Sequence, residues 1–440
     1  MTRVLWVLYD ASVTLAVICV LVPGELVKIA VGRSHWSDLA ERLGIGTPAT
    51  SQAGRRVLVH AVSVGEMAAG AALISAIGDQ DPETRFVLTT GTRQGREAGD
   101  RLRQRIPTIE CVHFLPWDRH GALRQWLTAL APDAVAVVET EIWPNLFRVC
   151  RELLIPLFVV NGRLYPADIA RYRLARRFFT EVLEAVDWIG TQDVAEKTAF
   201  ERIGAPADRT EAVGNLKFDA GSATPELPQL WRDALANPTR PPLIVAGSTH
   251  RPEESLLLDA LVSLQAQFPG VRLVLAPRHP DRCSRLLRLT ASRRLATVLW
   301  SQQERAASAW DVLLVDEVGP LAAIFKYADV VFLGGSLVPR GGHNPLEAAA
   351  QGRPIVIGPS THHFRGIVQG LADAGALTIV DGCGNTAQLL TDALAHLLAD
   401  PAARELAGQR AFAFFTAGRG VAQRYARTLL TRLAAQAPSR

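Results

Sequence analysis

The apolar residues of this chain are spaced in three distinct ways. From Val4 to Val31 the run "VLWVLYDASVTLAVICVLVPGELVKIAV" is apolar almost throughout, broken mainly by Asp10, Glu25 and Lys28. Its longest uncharged stretch, Ala11 to Gly24, is shorter than the ~20 residues that a bilayer-crossing helix needs. A cleaved secretory signal fits poorly, because Arg3 is the only basic residue ahead of the run and the small-residue cleavage pattern is weak. Residues 1–32 therefore read as an uncleaved N-terminal apolar anchor helix, spanning with Asp10 near one end or lying partly in the interface. A buried core helix is the competing reading.

From Arg55 onward, short apolar runs alternate with longer amphipathic stretches. "RRVLVHAV", "TRFVLTT", "DAVAVVE", "IPLFVVNGR" and "DWIGTQ" predict short buried strands, each followed by a helix. Continuous β-branched runs between helices imply parallel strands covered on both faces, so 33–220 reads as an α/β doubly wound domain. The rhythm breaks in "GSATPELPQLWRDALANPTRPP", rich in Pro, Ser and Thr around one short helical piece, which predicts an interdomain linker over 221–242. It restarts with "PLIVAGS", "VRLVLAPRHP", "DVLLVD", "ADVVFLGGS" and "PIVIGP", giving a second α/β domain over 243–415. A closing helix over 416–440 is expected to pack back on the first domain. Two α/β domains of similar size would face a cleft, with ligands at the carboxyl ends of the strands.

Composition narrows the picture. A chain of 440 residues exceeds one ordinary core, and 48% apolar with 20% charged residues is the profile of a folded protein. Lys plus Arg number 47 against 43 Asp plus Glu, so whole-chain charge does not point to nucleic acid as a partner. The cysteines (Cys19, Cys111, Cys150, Cys283, Cys383) are odd in number, widely spaced and without CxxC, which argues for reduced thiols and neither a metal cage nor a disulfide framework.

Candidate chemistry gathers at strand ends. In "LVHAVSVGEMAAGAALISAI" a lone carboxylate, Glu66, follows an apolar run and opens a helix. A first-turn Glu interacts favourably with the helix dipole by ~0.3–1 kcal/mol, and that structural account suffices for Glu66 taken alone. In "VFLGGSLVPRGGHNPLEAAAQGRPIVIGP" a strand runs into paired glycines and a loop, and a helix follows with Asn344 as N-cap, Pro345 at its first position and Glu347 three residues beyond. Asn344 and Glu347 read as a capping box. A compatible functional reading has the glycines and helix N-terminus receive a phosphate while Glu347 accepts from ribose hydroxyls. "APRHPDR" holds Arg278 and His279 between two prolines, which suits anion recognition by Arg, and "AGSTH" is a third small-residue turn.

Taken together and in this order, "HAVSVGE", "ETEIWPN", "GNLKFD", "APRHPDR" and "GGSLVPRGGHNPLEAA", after an apolar N-terminus, closely resemble the Kdo transferases, which add 3-deoxy-D-manno-oct-2-ulosonic acid to lipid A precursor. The resemblance runs from "WSDLAERLG" to the C-terminal helices, and its motifs are specific as a set. It implies a GT-B glycosyltransferase, two Rossmann-like domains with the donor CMP-Kdo held mainly by the C-terminal one. It also implies an anionic lipid A precursor (lipid IVA) as acceptor, met at the cytoplasmic face of the bacterial inner membrane, and lipopolysaccharide core biosynthesis as the process. By the same resemblance Glu66 is the general base, and Glu139 and Lys217 stabilise the transition state. CMP contacts fall on Pro277 and Arg278, on Val318, Gly319 and Pro320, and on Asn344, Pro345, Leu346 and Glu347. No cofactor and no metal is implied, and no DxD-like pair stands near these loops.

Two positions depart from the family pattern. Gly319-Pro320 stands where Gly-Glu is expected, and proline offers neither a carboxylate nor an N–H, so a neighbour such as Glu317 would have to supply such a contact. "NGRLYP" places Tyr165-Pro166 where the family has Ser after Leu, which bears on the acceptor side. In "ARYRLARR" the arginines 171, 173, 176 and 177 read either as a solvated basic face or as a stripe that meets anionic lipid; the apolar anchor and the lipid acceptor favour the second. Two other functions are compatible with the residues: a GT-B enzyme or epimerase using a UDP-sugar, and a membrane-tethered binding protein without catalysis.

Overall fold

The structure is a computed structural model that describes every residue except 1, 49, 51–53, 221–225, 238, 303, 305–308, 382–383 and 437–440. Cys383 lies outside the described residues; the other four cysteines are free thiols. The chain divides into two units, Met1–Gly221 with Arg419–Arg440, and Ser222–Gly418.

The first unit carries β1 (Arg56–His60), β2 (Arg85–Thr90), β3 (Ile109–Phe114), β4 (Ala134–Val138), β5 (Leu157–Gly162), β6 (Trp188–Thr191) and β7 (Thr210–Ala212). All pair in parallel in the order β3-β2-β1-β4-β5-β6-β7. The expected strands stand where the apolar runs placed them. β3 and β7 were not anticipated: β3 carries Glu110 and His113 at the sheet edge, and β7 has three residues, so neither shows a buried-strand pattern. In β4 every residue is buried, as a central parallel strand covered on both faces requires.

Helices cover the two faces. The helix Val64–Gln80 buries Met67, Leu73, Ile74 and Ile77 against the sheet, each such side chain contributing roughly 1.5–3 kcal/mol. The C-terminal helix Val421–Gln436 lies against it; Tyr425 is buried there, its hydroxyl donating to the carbonyls of Thr191 and Gly214. At the other end of the chain, one helical rod runs Thr2–Ala16, takes a π-turn at Val17–Leu21 and continues Val22–Ala30. A second short helix, Trp36–Leu43, follows it.

The second unit repeats the plan with β8 (Leu243–Thr249), β9 (Arg272–Pro277), β10 (Thr297–Leu299), β11 (Val312–Leu314), β12 (Val330–Leu333), β13 (Ile355–Ile357) and β14 (Leu377–Ile379), ordered β10-β11-β9-β8-β12-β13-β14, all parallel. The short outer strands β10 and β14 were not anticipated. Residues 229–236, within the stretch read as a linker, form a helix whose Trp231 is buried in this unit, stacked on Trp300 at 5.2 Å between ring centroids.

Candidate active site

In the first sheet the chain winds outward from β1 through β2 and β3, then returns to β4 on the other side of β1. The switch point of this doubly wound sheet lies between β1 and β4, where ligands of such sheets bind. Glu66 follows β1 and Glu139 directly follows β4, so the two carboxylates expected from the sequence flank that point.

Glu66 opens the helix Val64–Gln80. Ser63 Oγ accepts from the Glu66 N–H at 3.2 Å and donates to the Glu66 carboxylate at 2.9 Å, while the Val62 N–H donates to the same carboxylate at 2.7 Å. This is a capping arrangement, so the structural account of Glu66 is realised. It also fixes the carboxylate, which stays half-buried. Desolvation raises its pKa above the ordinary carboxylate range, as does the charge of Glu139; the hydrogen bonds from Val62 and Ser63 oppose the shift.

Glu139 has φ +62°, a left-handed conformation that costs a non-glycine residue of order 1–3 kcal/mol. Its carboxylate is held by Lys217 Nζ at 2.7 Å and by Asn161 Nδ2 at 3.2 Å. Asn161, at φ +57°, in turn accepts from the Leu216 N–H at 2.9 Å, so the turn carrying Lys217 is tied to the end of β5. Sequence reasoning passed over Asn161 and Glu141. Burial, with the negative charges of Glu66 and Glu139, pushes Glu141 up to about 7. Arg163 lies over the Tyr165 ring at 4.6 Å, at a position where this chain departs from the family pattern. Tyr165 is raised by burial and by Glu139 and Glu66 and lowered by Arg163, which places it beside the same carboxylates. Glu139 is thus paired with Lys217, and Glu141 carries its proton up to about pH 7. Glu66 is bonded by Val62 and Ser63 and, among the described residues, has no cationic partner.

In the second unit the switch point lies between β8 and β12. Here the structure corrects the expected phosphate cradle. The N–H groups of Gly335, Ser336 and Leu337 all donate to Glu253, at 2.8, 3.0 and 3.0 Å, and the His250 N–H donates to it at 2.8 Å. Glu253 is fully buried, so the glycine turn already holds an anion of the protein's own. The second glycine pair is also engaged, Gly341 N–H donating to Ser360 Oγ and Gly342 N–H to the Gly335 carbonyl. The expected helix is a single turn, Leu346–Ala349, whose dipole is correspondingly small. Asn344 Oδ1 does accept from the Leu346 N–H at 3.1 Å, but Glu347 bonds the Asn344 side chain rather than returning to its backbone, so the box is not reciprocal. Glu347 remains accessible to solvent, and crowding by protein still raises its carboxyl.

What faces the switch point instead is a group of cationic and imidazole side chains. His250 follows β8 and His343 follows β12; their Nε2 atoms are 3.2 Å apart and the rings stack at 5.4 Å. Gly335, at φ +68°, makes room, since a Cβ there would stand 3.1 Å from the His343 ring. Burial lowers His343 to about 4, with Arg278, His250, His363 and His279 adding to the shift, and burial with Arg340 lowers His250. Both imidazoles are therefore neutral near pH 7, and the positive charge that favours an anion here is that of Arg278 and Arg340. Pro277 is buried at the end of β9 and Arg278 is exposed beyond it. Arg282 is no loose surface charge, pairing with the buried Glu254 at 2.7 and 3.2 Å. Val318 and Gly319 lie exposed in the loop after β11, and Pro320 caps the short helix that follows. Among the described residues no three His, Cys, Asp or Glu side chains are grouped to hold a metal ion.

Two doubly wound parallel units with charged groups at their switch points define a GT-B protein. The fold matches solved structures of a UDP-N-acetylglucosamine 2-epimerase (TM-score 0.58, 15% identity, 88% of this chain and 99% of that one) and of MurG from Acinetobacter baumannii (0.55, 15%, 86% and 99%). At that identity the likeness concerns fold alone. Within that class the sequence is more specific. Residues 37–220 match the family model for 3-deoxy-D-manno-octulosonic-acid transferase (kdotransferase). The 3-deoxy-D-manno-octulosonic acid transferase of Bordetella pertussis is 31% identical over 398 residues, 87% of this chain and 88% of that one, and the Haemophilus influenzae enzyme of the same name is 29% identical over 392 residues, 88% and 89%. The chain belongs to the Kdo transferase family.

Proposed function

We propose that this protein is an inverting, metal-independent glycosyltransferase that moves Kdo from CMP-Kdo to the lipid A precursor lipid IVA in lipopolysaccharide biosynthesis, at the cytoplasmic face of the bacterial inner membrane. The observation that carries the proposal is the pairing of a fixed, half-buried Glu66 with the Lys217-neutralised Glu139 across one switch point. Glu66 takes the proton of an acceptor hydroxyl as that oxygen bonds to the anomeric carbon of Kdo. The bond from that carbon to the CMP phosphate breaks on the opposite face, and the electron pair leaves with CMP. Lys217, held by Glu139, meets the negative charge of the Kdo carboxylate or the departing phosphate. Pro277, Arg278 and the segments 318–320 and 344–347 hold the nucleotide, with the His250–His343 pair beside them. No cofactor takes part, and the apolar N-terminal helix holds the enzyme at the lipid.

The test is incubation with CMP-Kdo and lipid IVA, followed by mass spectrometry of the lipid, which reports donor, acceptor and number of additions together. A mass increase by whole Kdo units, lost in Glu66→Ala, is expected. No transfer by the wild type, or equal transfer by Glu66→Ala, sinks the proposal; a rise in melting temperature with UDP and not CMP would instead indicate a UDP-sugar enzyme.

A further inference from the structure

The N-terminal helix is fastened to one unit near both of its ends. Near its start Trp6 is buried, its Nε1 donating to Glu181 at 3.0 Å, and the Tyr9 hydroxyl donates to Asp118 at 2.6 Å. Asp10 accepts from Asn145 at 2.8 Å and lies 3.6 Å from Arg148. In the middle, Val17 is only 1% exposed. Near its end Glu25 is 4% exposed, bonded to Ser34, which also bonds Asp38 on the helix Trp36–Leu43. That helix is fastened to the first unit in turn, Arg42 donating to the Gly91 carbonyl and Arg96 pairing with Glu41. The inward positions 6, 9, 13, 17, 22, 25 and 29 advance by three or four residues, except for one step of five at the π-turn. The π-turn keeps one face inward across the whole rod.

The opposite face is bare and apolar. Val7, Leu8, Leu15, Ile18, Val20 and Val27 are all exposed, and the stripe ends beside Lys28, Arg33 and the exposed Trp36. A bilayer-crossing helix would carry one end about 30 Å from the other through hydrocarbon. Here both ends are tied to the same α/β unit, so crossing would draw Glu181, Asp118 and Arg148 into lipid, at several kcal/mol for each charge.

We propose that the rod lies in the plane of an anionic bilayer surface, its bare face sunk at the level between headgroups and acyl chains, and that it does not cross. The bare apolar stripe fits the acyl boundary, Trp36 fits the interface, and Lys28 and Arg33 fit anionic headgroups. This rests on the reading of the protein as a membrane enzyme. Nitroxide labels on the full-length enzyme at Leu8→Cys, at the native Cys19 and at Val27→Cys, bound to vesicles of phosphatidylethanolamine and phosphatidylglycerol, test it by depth measurement. Transfer activity of each labelled protein verifies its fold. Three shallow depths agreeing within a few ångströms are expected. A spread on the order of 28 Å, the rise of 19 residues, overturns the in-plane arrangement and leaves the membrane enzyme standing. Three water-exposed labels overturn both.

Discussion

Lys217 Nζ stands 2.7 Å from Oε1 of Glu139, and both side chains are largely withdrawn from water. Truncating one member of such a pair strands the other. Lys217→Met is expected to lower the unfolding free energy by about 3 kcal/mol, read from urea denaturation, and to abolish transfer. The double variant Lys217→Met/Glu139→Gln should recover much of the stability and none of the activity. Full activity in either variant would remove Lys217 from the chemistry.

Glu66→Gln keeps the shape of the capping arrangement at Ser63 and removes the base. Transfer should be lost, while the melting temperature and its rise on adding CMP stay close to wild type, as measured by differential scanning fluorimetry. A loss of CMP binding would mean that the side chain acts on structure rather than on the proton.

Glu141 holds its proton up to about pH 7 in the folded protein, against an ordinary value of 4.5. The folded state therefore binds more protons than the unfolded state between those values, and stability falls as pH rises through that window. The melting temperature should decline from pH 5 to pH 7.5, and Glu141→Gln should flatten the decline. Activity has the opposite dependence at the acid end: Glu66 must be ionised to act as a base, its carboxyl is raised, and the rate should drop as pH falls through that raised value. Rates that hold level through the acid range would count against the assignment.

Glu253→Ala would leave four backbone donors without their acceptor, three of them in the turn at Gly335 to Leu337. Each unpaired buried group costs about 1–3 kcal/mol, so this variant should fail to give a folded second unit, seen as lost soluble yield or lost near-UV circular dichroism. Glu253→Gln, which keeps two acceptor lone pairs, should fold with reduced stability.

Both sheets could be read from the sequence wherever strands are buried on both sides, as at Ala134–Val138, because burial on two faces leaves no room for polar residues. The edge strand Ile109–Phe114 hides because one margin of the sheet tolerates Glu110 and His113. Glu66, Glu139 and Lys217 were found through a family pattern, and Glu66 by itself is indistinguishable from a cap, which it also is. Glu253 was missed for a different reason. Three of its four partners lie more than eighty residues away in the chain, and the paired glycines that receive it have the same signature as a phosphate loop. The His250–His343 pair has no local signature either, since it exists only where β8 and β12 lie side by side.

The π-turn at Val17–Leu21 makes the N-terminal helix tolerant of one residue lost and intolerant of one gained. Exchanging one apolar residue for another on its bare face leaves the inward face as it is. Removing a single residue from the turn would let regular α-helical winding run through it, with four residues spanning what five span now, so Glu25 would keep its bearing toward Ser34 and move only by about 1.5 Å along the axis. An added residue has no such outlet: wound into the regular helix, it would rotate everything beyond it by about 100° and turn Glu25 away from Ser34. A one-residue insertion in this segment is therefore a harsher change than a one-residue deletion or several conservative replacements, although every side chain that bonds the protein would still be present in the chain.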